Sequence, residues 1–478
     1  MGWIVLLPPV IAIVLALWTR QVFLSLITGL WFGTTILEGG NPIFGLRTLV
    51  DQMVAVFSDA GNTRVVFFCL LVGGLIALVQ SSGGVNGFIS FAQNRGWGTT
   101  RRSAELLAVI TGLVVFVESS ITTLVVGAVG RPFFDRLKLP REKLAYYCDA
   151  TSAPVCMMIP LNGWGAYLLG LLAAQGVTAG AVGLLAESLL YNFFSILAIA
   201  FAVFLAVSGK GWGLMKRAEE RAAETGHLTR PGSVPLIADE VAAIPPLEGV
   251  PEQARDFFIP LTVMILAIFG GLWITGNGNI MAGSGSTAVL WAVGLGIMAA
   301  MLLYAVPRKM KEGKRRSVMS MQKSMDMVLK GCMGLVPVTL LIVLAFAIGQ
   351  VSRELEMGPY LVSIIQGTGG NWWMPALVFL VGCFVSFTLG SSWTTFAIIL
   401  PVALPLAEGL GLPQALMLGA VLSGGVFGDH ASPLSDTSII SSMASACDHV
   451  DHVNTQMPYA VALAAVSVVL FLIAGLLA

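Results

Sequence analysis

Two stretches, half a chain apart, carry the same polar signature in apolar surroundings. Glu118-Ser-Ser-Ile-Thr-Thr123 is followed by Asp149-Ala-Thr-Ser-Ala-Pro154, and Gly390-Ser-Ser-Trp-Thr-Thr395 is followed by Asp429-His-Ala-Ser-Pro433. Carboxylates and hydroxyls are hard oxygen donors that suit a cation such as Na+. A carboxylate held in lipid is costly unless it takes up a cation or a proton. A single match means little, because Ser and Thr pairs are common. Two matches in the same order, one per half, point to a transporter site at a repeat interface.

Asp149 is the first candidate, a carboxylate for which Na+ and H+ would compete; capping of a half-helix beginning near Ser152 is the bland alternative. Asp429 and Asp436 flank the second break, with Ser432, Ser435 and Thr437 beside them, and the alternative for Asp436 is N-cap of a helix that begins at Thr437. Na+ is therefore expected at Asp149 and Asp429. Glu118 is a candidate proton carrier or a locally bonded carboxylate. Ser119, Ser120, Thr122, Thr123, Thr151, Ser152, Ser391, Ser392, Thr394 and Thr395 can coordinate ions or substrate, or pack helices. His430 can titrate near neutral pH. Trp164 and Trp393 stand beside these elements as cavity wall or packing. Asp448-His-Val-Asp-His452 reads as a solvated loop or pH-sensing face and not as a zinc site.

These groups need elements that hold them inside a bilayer. The 478 residues are 56% hydrophobic and 11% charged, with a mean hydropathy of +0.86, which excludes an ordinary soluble surface. Apolar runs near 3–18, 21–37, 65–79, 178–207, 257–275, 286–306, 327–350 and 456–478 approach or exceed the ~20 residues that span a membrane as helix. Their unbroken character favours helices over barrel strands. The first run leads into Thr19-Arg-Gln with no cleavage site, so it is expected to be the first span. The six cysteines show no metal or redox spacing and are expected as buried free thiols. No nucleotide fingerprint, phosphate loop or nucleophile triad is present, so no enzyme activity, cofactor or nucleic-acid partner is expected.

Basic residues gather at 95–102, 131–143, 210–230 and 308–323. The positive-inside rule makes these segments cytoplasmic and places both termini outside. The predicted organisation is a first repeat over 1–207, a cytoplasmic linker over 208–255 and a second repeat of inverted topology over 256–478. The Pro-rich linker reads chiefly as a connector, with a short surface helix over Lys216–Glu224. Segments 103–118 and 120–134 are predicted to form a re-entrant hairpin entering from inside with Glu118–Thr123 at its tip. Segment 373–407 forms its counterpart from outside with Ser391–Thr395 at the tip. Pro154 and Pro433 predict breaks in the spans near 144–171 and 412–446, whose half-helix ends offer carbonyls to a cation and amides to an anion.

Gly425-Val-Phe-Gly-Asp-His-Ala-Ser-Pro-Leu-Ser-Asp-Thr-Ser-Ile-Ile-Ser-Ser442, followed by Asp448-His-Val-Asp-His-Val-Asn-Thr-Gln-Met-Pro-Tyr459, closely resembles the signature of NhaC-type sodium/proton antiporters. Arg141–Pro154 and Asn162–Ala166 resemble the corresponding first-half elements. The resemblance implies an all-α polytopic protein of the ion-transporter superfamily, with paired hairpins, broken spans and elevator-type movement. It also implies a homodimer in a bacterial-type inner membrane that exchanges Na+ for H+. Many members carry two adjacent aspartates where this chain has Val117-Glu-Ser-Ser120. That departure leaves a coupled carrier of an amino acid or small organic acid as the alternative.

Overall fold

The computed structural model describes residues 3–19, 22–94, 100–116, 118–177, 180–234, 246–280, 283–310, 313, 315–356, 360 and 371–478. Arg20 and the middle of the linker, 235–245, lie outside them. The described residues are mostly helical. They depart from the all-α expectation in a minute antiparallel pair, Arg308–Lys309 with Arg315–Arg316.

Among the described residues, Ala60–Ser81, Arg255–Thr275, Gly285–Ala305, Ser392–Leu410 and His449–Leu477 are long and apolar enough to cross a bilayer, and two bent pairs raise the number to seven. Two apolar runs are not single helices. The run at 178–207 bends by 46° between Ala181–Leu189 and Phe193–Ser208, where Asn192 caps the second piece by accepting from the Ser195 amide. The run at 327–350 divides at Leu335 into Met321–Gly334 and Val336–Glu354. Pro337 sits in the first turn of the second piece, where its missing amide proton costs nothing.

Two helices joined by a short turn stand at each expected hairpin position. Arg101–Val114 and Ser119–Arg136 make the first, packed on each other; Val117, in its turn, lies outside the described residues. Met374–Leu389 and Ser392–Leu410 make the second, turning at Gly390 in the left-handed region with φ 65°. A side chain at Gly390 would be strained there and would also sit 2.5 Å from the Leu434 carbonyl.

The hairpins open towards opposite ends of the molecule. The base of the first lies at the linker, where Arg102 meets Gly209 and the Arg141 amide donates to the Leu228 carbonyl. The same end holds the start of His449–Leu477, because the Val234 amide donates to Asp448 and Arg230 pairs with Asp451. That 29-residue helix is about 43 Å long at 1.5 Å per residue. At its far end Gly475 packs on Trp372, beside the base of the second hairpin.

Both expected breaks are present, with one shift. The second span runs as Gln414–Ala431 and Asp436–Ser445 around Pro433. The first is interrupted at Thr151–Ser152, but its larger bend, 47°, follows Met158. Pro154 occupies the first turn of the short helix Ala153–Met158 and is tolerated there. Asn162 then starts Gly163–Ala174 by accepting from the Trp164 and Gly165 amides. The halves interlock: Asp436–Ser445 packs against Ser119–Arg136 and Arg141–Ala150.

The linker is anchored at both described ends and is more than a loose connector. Its expected helix is Leu214–Thr225. Glu219 reaches Lys143 Nζ at 2.7 Å, which also meets Glu105 at 2.8 Å, and Arg221 bonds both oxygens of Glu142 at 3.0 Å. Beyond 245, the Leu247 amide donates to the Ser81 carbonyl. One end thus holds the broken span and the other a long apolar helix. Cys69, Cys148, Cys156, Cys383 and Cys447 are buried, Cys332 is partly buried, and all six are free.

Candidate functional site

The hairpin turns and span breaks converge on a cavity of about 250 Å³. Its wall takes Glu118 and Ser119 from the first turn, Gly163 and Trp164 from the first span, and Ser391 and Trp393 from the second hairpin. Asp429, Asp436 and Thr437 come from the second break, and Cys69, Val72, Ile76 and Leu335 complete the apolar side. Three of these lining residues are acidic and none is basic.

Asp429 is 2% exposed. Its Oδ2 accepts from Ser392 Oγ at 2.7 Å and its Oδ1 from Ser435 Oγ at 2.8 Å. Thr437 Oγ1 lies 3.2 Å from the Asp429 carbonyl and 3.4 Å from Oδ1. Asp436 accepts from the Thr437 amide at 2.9 Å. It is the first residue of its helix, so the alternative of Asp436 as N-cap does not hold; Ser435 occupies that position. Ser432 accepts from the Leu434 amide and shapes the break.

In the first turn Glu118 is the N-cap, accepting from the Ile121 amide at 3.0 Å and from Ser119 Oγ at 3.2 Å. The residue also lines the cavity. Thr122 closes the turn on the Val115 and Glu118 carbonyls, and Thr123 is buried. The Ser120 side chain lies outside the described residues. In the second turn Ser391 caps the Thr394 amide, while Thr394 and Thr395 bond back to Ser391.

Asp149 is fully buried and does not line the cavity. It caps nothing: Ser152 occupies the cap position without a side-chain bond. Asp149 Oδ2 accepts from Ser438 Oγ at 2.8 Å and Gln456 Nε2 at 2.7 Å, with His430 Nδ1 and His452 Nε2 each at 3.8 Å. Its Oδ1 has no hydrogen-bond partner. Ser438 Oγ also lies 3.3 Å from the Asp429 carbonyl, so it links the two buried acids. Among the described residues neither acid pairs with Lys or Arg. Thr151 and Ser152 bond the carbonyls of Tyr147 and Asp149 and serve the break, away from the cavity.

Several participants went unnoticed in the sequence. Ser438 and Gln456 both bond Asp149, and His452, read only as part of a surface stretch, lies 3.8 Å from it. Asn162 joins the first turn to the first span, donating to Phe116 O at 2.8 Å, Cys156 O at 2.9 Å and Ile159 O at 3.0 Å. Tyr167 donates to the Trp393 carbonyl at 2.7 Å. The Asp448–His452 stretch is not a solvated loop: it opens the last helix, and His452 is fully buried. At the linker, partial burial would raise the Asp448 carboxyl. The amides of Val234, Asp451 and Val450 and the Arg230 guanidinium outweigh that and hold it below the usual carboxylate range.

The model of the Na+/H+ antiporter family matches residues 155–476. An uncharacterised protein of Haemophilus influenzae is 32% identical over 98% of this chain and 90% of its own length. The arginine/ornithine antiporter ArcD of Halobacterium salinarum is 38% identical over 21% of each chain. The Na+/H+ antiporter NhaC of Alkalihalophilus pseudofirmus is 34% identical over 22% of each. Among solved structures, the YdaH transporter of Alcanivorax borkumensis superposes with a TM-score of 0.53 at 15% identity, covering 90% of this chain and 88% of that one, a likeness of fold.

Proposed function

The chain belongs to the Na+/H+ antiporter family, and from that premise we propose that this multi-pass membrane transporter exchanges Na+ for H+ by alternating access. One observation carries the reading: Asp149 and Asp429 are buried where four elements meet, with no Lys or Arg paired to either among the described residues. Burying an ion costs several kcal/mol even after relaxation, so each acid needs a proton or a cation.

The cation belongs in the cavity. Asp429, Asp436 and Glu118 supply charge there, and Ser391 and Thr437 supply hydroxyl oxygens. Asp149, behind this wall, holds the proton. A sodium ion beside Asp429 raises the local positive potential and disfavours the proton on Asp149; loss of sodium reverses the preference. Coupling then needs no shared atom, only proximity through Ser438.

Hairpins opening towards opposite ends support an inverted repeat with divisions at 207 and 256. The two linker anchorages support movement of the hairpin-and-break block against the long helices, as an elevator. With the linker cytoplasmic, the far end of His449–Leu477 is outside. The test is reconstitution in liposomes: a sodium gradient should drive an opposite pH change across the neutral range, and no change with oriented, folded protein would reject the exchanger.

A second reading, carriage of an ammonium-bearing organic substrate, is favoured by the cavity itself. Its ~250 Å³ far exceeds the ~10–15 Å³ that a water requires. Trp164 Nε1 is buried without a hydrogen-bond partner, and the Trp164 and Trp393 rings lie 5.1 Å apart. The partial match to an arginine/ornithine antiporter agrees with it. Thermal stabilisation by an amino-acid panel, lost in Trp164→Phe and absent with Na+ alone, would establish this reading in place of the first.

A further inference from the structure

Asp149 has no opening to the cavity, so a proton bound there needs another way in. On the side away from the cavity, Ser442 Oγ lies 2.9 Å from His452 Nδ1, 3.0 Å from His449 Nδ1 and 2.8 Å from the Ser438 carbonyl. His452 is fully buried, while His449 is partly exposed at the start of the last helix.

The far nitrogen of each ring fixes its tautomer. Gln456 Nε2 faces two acceptors, Asp149 Oδ2 and the His430 carbonyl, so its Oε1 must face His452 Nε2, at 3.0 Å. That nitrogen therefore carries a proton. His449 Nε2 lies 2.8 Å from the Pro433 carbonyl and carries one for the same reason. In the neutral rings both Nδ1 atoms are then lone pairs. Together with the Ser438 carbonyl, these lone pairs converge on the single O–H of Ser442. A helix carbonyl tolerates the competition, but at least one ring nitrogen stays unsatisfied, and a buried acceptor without a donor is costly. One added proton on either Nδ1 makes it a donor to Ser442 Oγ and removes the deficit.

We infer that His449, Ser442 and His452 form a proton relay from the linker-side surface to Asp149, separate from the cavity that admits the cation. The inference rests on the reading above, in which Asp149 holds the exchanged proton. His449, protonated by solvent, passes its Nδ1 proton to Ser442 Oγ as Ser442 passes its hydroxyl proton to His452 Nδ1. This leaves His449 neutral, the serine unchanged and His452 cationic. His452 then gives its Nε2 proton to Asp149 Oδ2, which yields a neutral imidazole protonated at Nδ1 and a neutral carboxyl. Those atoms stand 3.8 Å apart, so the last hop requires the ring or the carboxyl to close a gap of about 1 Å. Running the two hops in reverse, from Asp149 to Nε2 and from Nδ1 to Ser442, restores the first tautomer. His452 is faced by Asp149 from the first span, His430 from the second and His449 and Gln456 from its own helix. His449 has Asp448 and Asp451 beside it in sequence, with Arg230 of the linker paired to Asp451 at 2.8 Å.

The test compares wild type, Ser442→Ala and His449→Gln in proteoliposomes, scoring sodium-driven proton flux against isotopic sodium-for-sodium exchange, which moves no net proton. Each variant should lose proton flux on the order of tenfold or more at neutral pH, recover part of it in acid, and keep sodium exchange. Unaltered flux and pH profile in a folded variant overturn the relay, as does equal loss of both activities. If Ser442→Ala fails to fold, the partly exposed His449→Gln carries the same expectation. A wild type that moves no protons against sodium would instead defeat the functional reading itself.

Discussion

Ser392, in the first turn of the second hairpin's return helix, donates a 2.7 Å hydrogen bond to Asp429 Oδ2 across the break of the neighbouring span. This bond ties a hairpin tip to a buried acid whose charge the bilayer would otherwise disfavour. The donor stabilises the ionised carboxylate, and an ionised carboxylate is the form that captures a cation.

Ser392→Ala should therefore raise the proton affinity of Asp429. A hydrogen bond to a charged group contributes about 1.5–3 kcal/mol, so sodium should bind roughly tenfold or more weakly near neutral pH. The defect should shrink as the pH rises. Sodium dependence of exchange at two pH values checks this; a loss independent of pH would indicate a packing effect instead.

Lys143 is fully buried between Glu105 and Glu219. Lys143→Met should destabilise the protein by about 3–5 kcal/mol, because it leaves a buried carboxylate unpaired. Lys143→Met with Glu105→Gln should recover much of that loss. Thermal unfolding in detergent reads both variants.

Asn162→Ala removes a cap and strands carbonyls of the first turn and the first span, an expected loss of about 2–4 kcal/mol. Asn162→Asp keeps the capping oxygen that accepts from the Trp164 amide but loses the donors to Phe116 and Cys156. It should fold with an altered cavity, seen as a change in tryptophan fluorescence.

At the linker, Asp448 is held below the usual carboxylate range by the Val234, Val450 and Asp451 amides and Arg230, against a burial effect that would raise it. A depressed carboxyl contributes stability above its unfolded range and loses it as pH falls through the folded value. Linker anchorage should thus persist at neutral pH and loosen only in acid. Limited proteolysis of the linker, compared with Asp448→Asn, follows it; the variant should be cut readily at every pH.

Much of this was legible in local pattern. The repeated Ser-Ser-x-Thr-Thr turns and Pro433 marked the hairpins and the second break, because turn chemistry is a short-range property. Pro154 misplaced the main bend, since proline fits the first turn of a helix as readily as it ends one. Ser438, Ser441, Ser442 and Ser445 form a polar stripe at helical spacing, but its partners Asp149, His449 and His452 arrive from elsewhere in the chain. Gln456 follows His452 by one turn, and nothing in that spacing tells which side of the helix faces the interior. Charge made the whole Asp448–His452 stretch read as solvated, whereas His452 is buried against Asp149 and Ser442.

The central claim is that a cation captured at Asp429 expels a proton held at Asp149. The direct measurement is proton release on adding sodium to purified, weakly buffered protein, followed with a pH-sensitive dye. Wild type should release protons in step with sodium binding; Asp149→Asn should bind sodium and release few, and Asp429→Asn should do neither. Sodium binding without proton release in the wild type, or undiminished release in Asp149→Asn, would contradict the account.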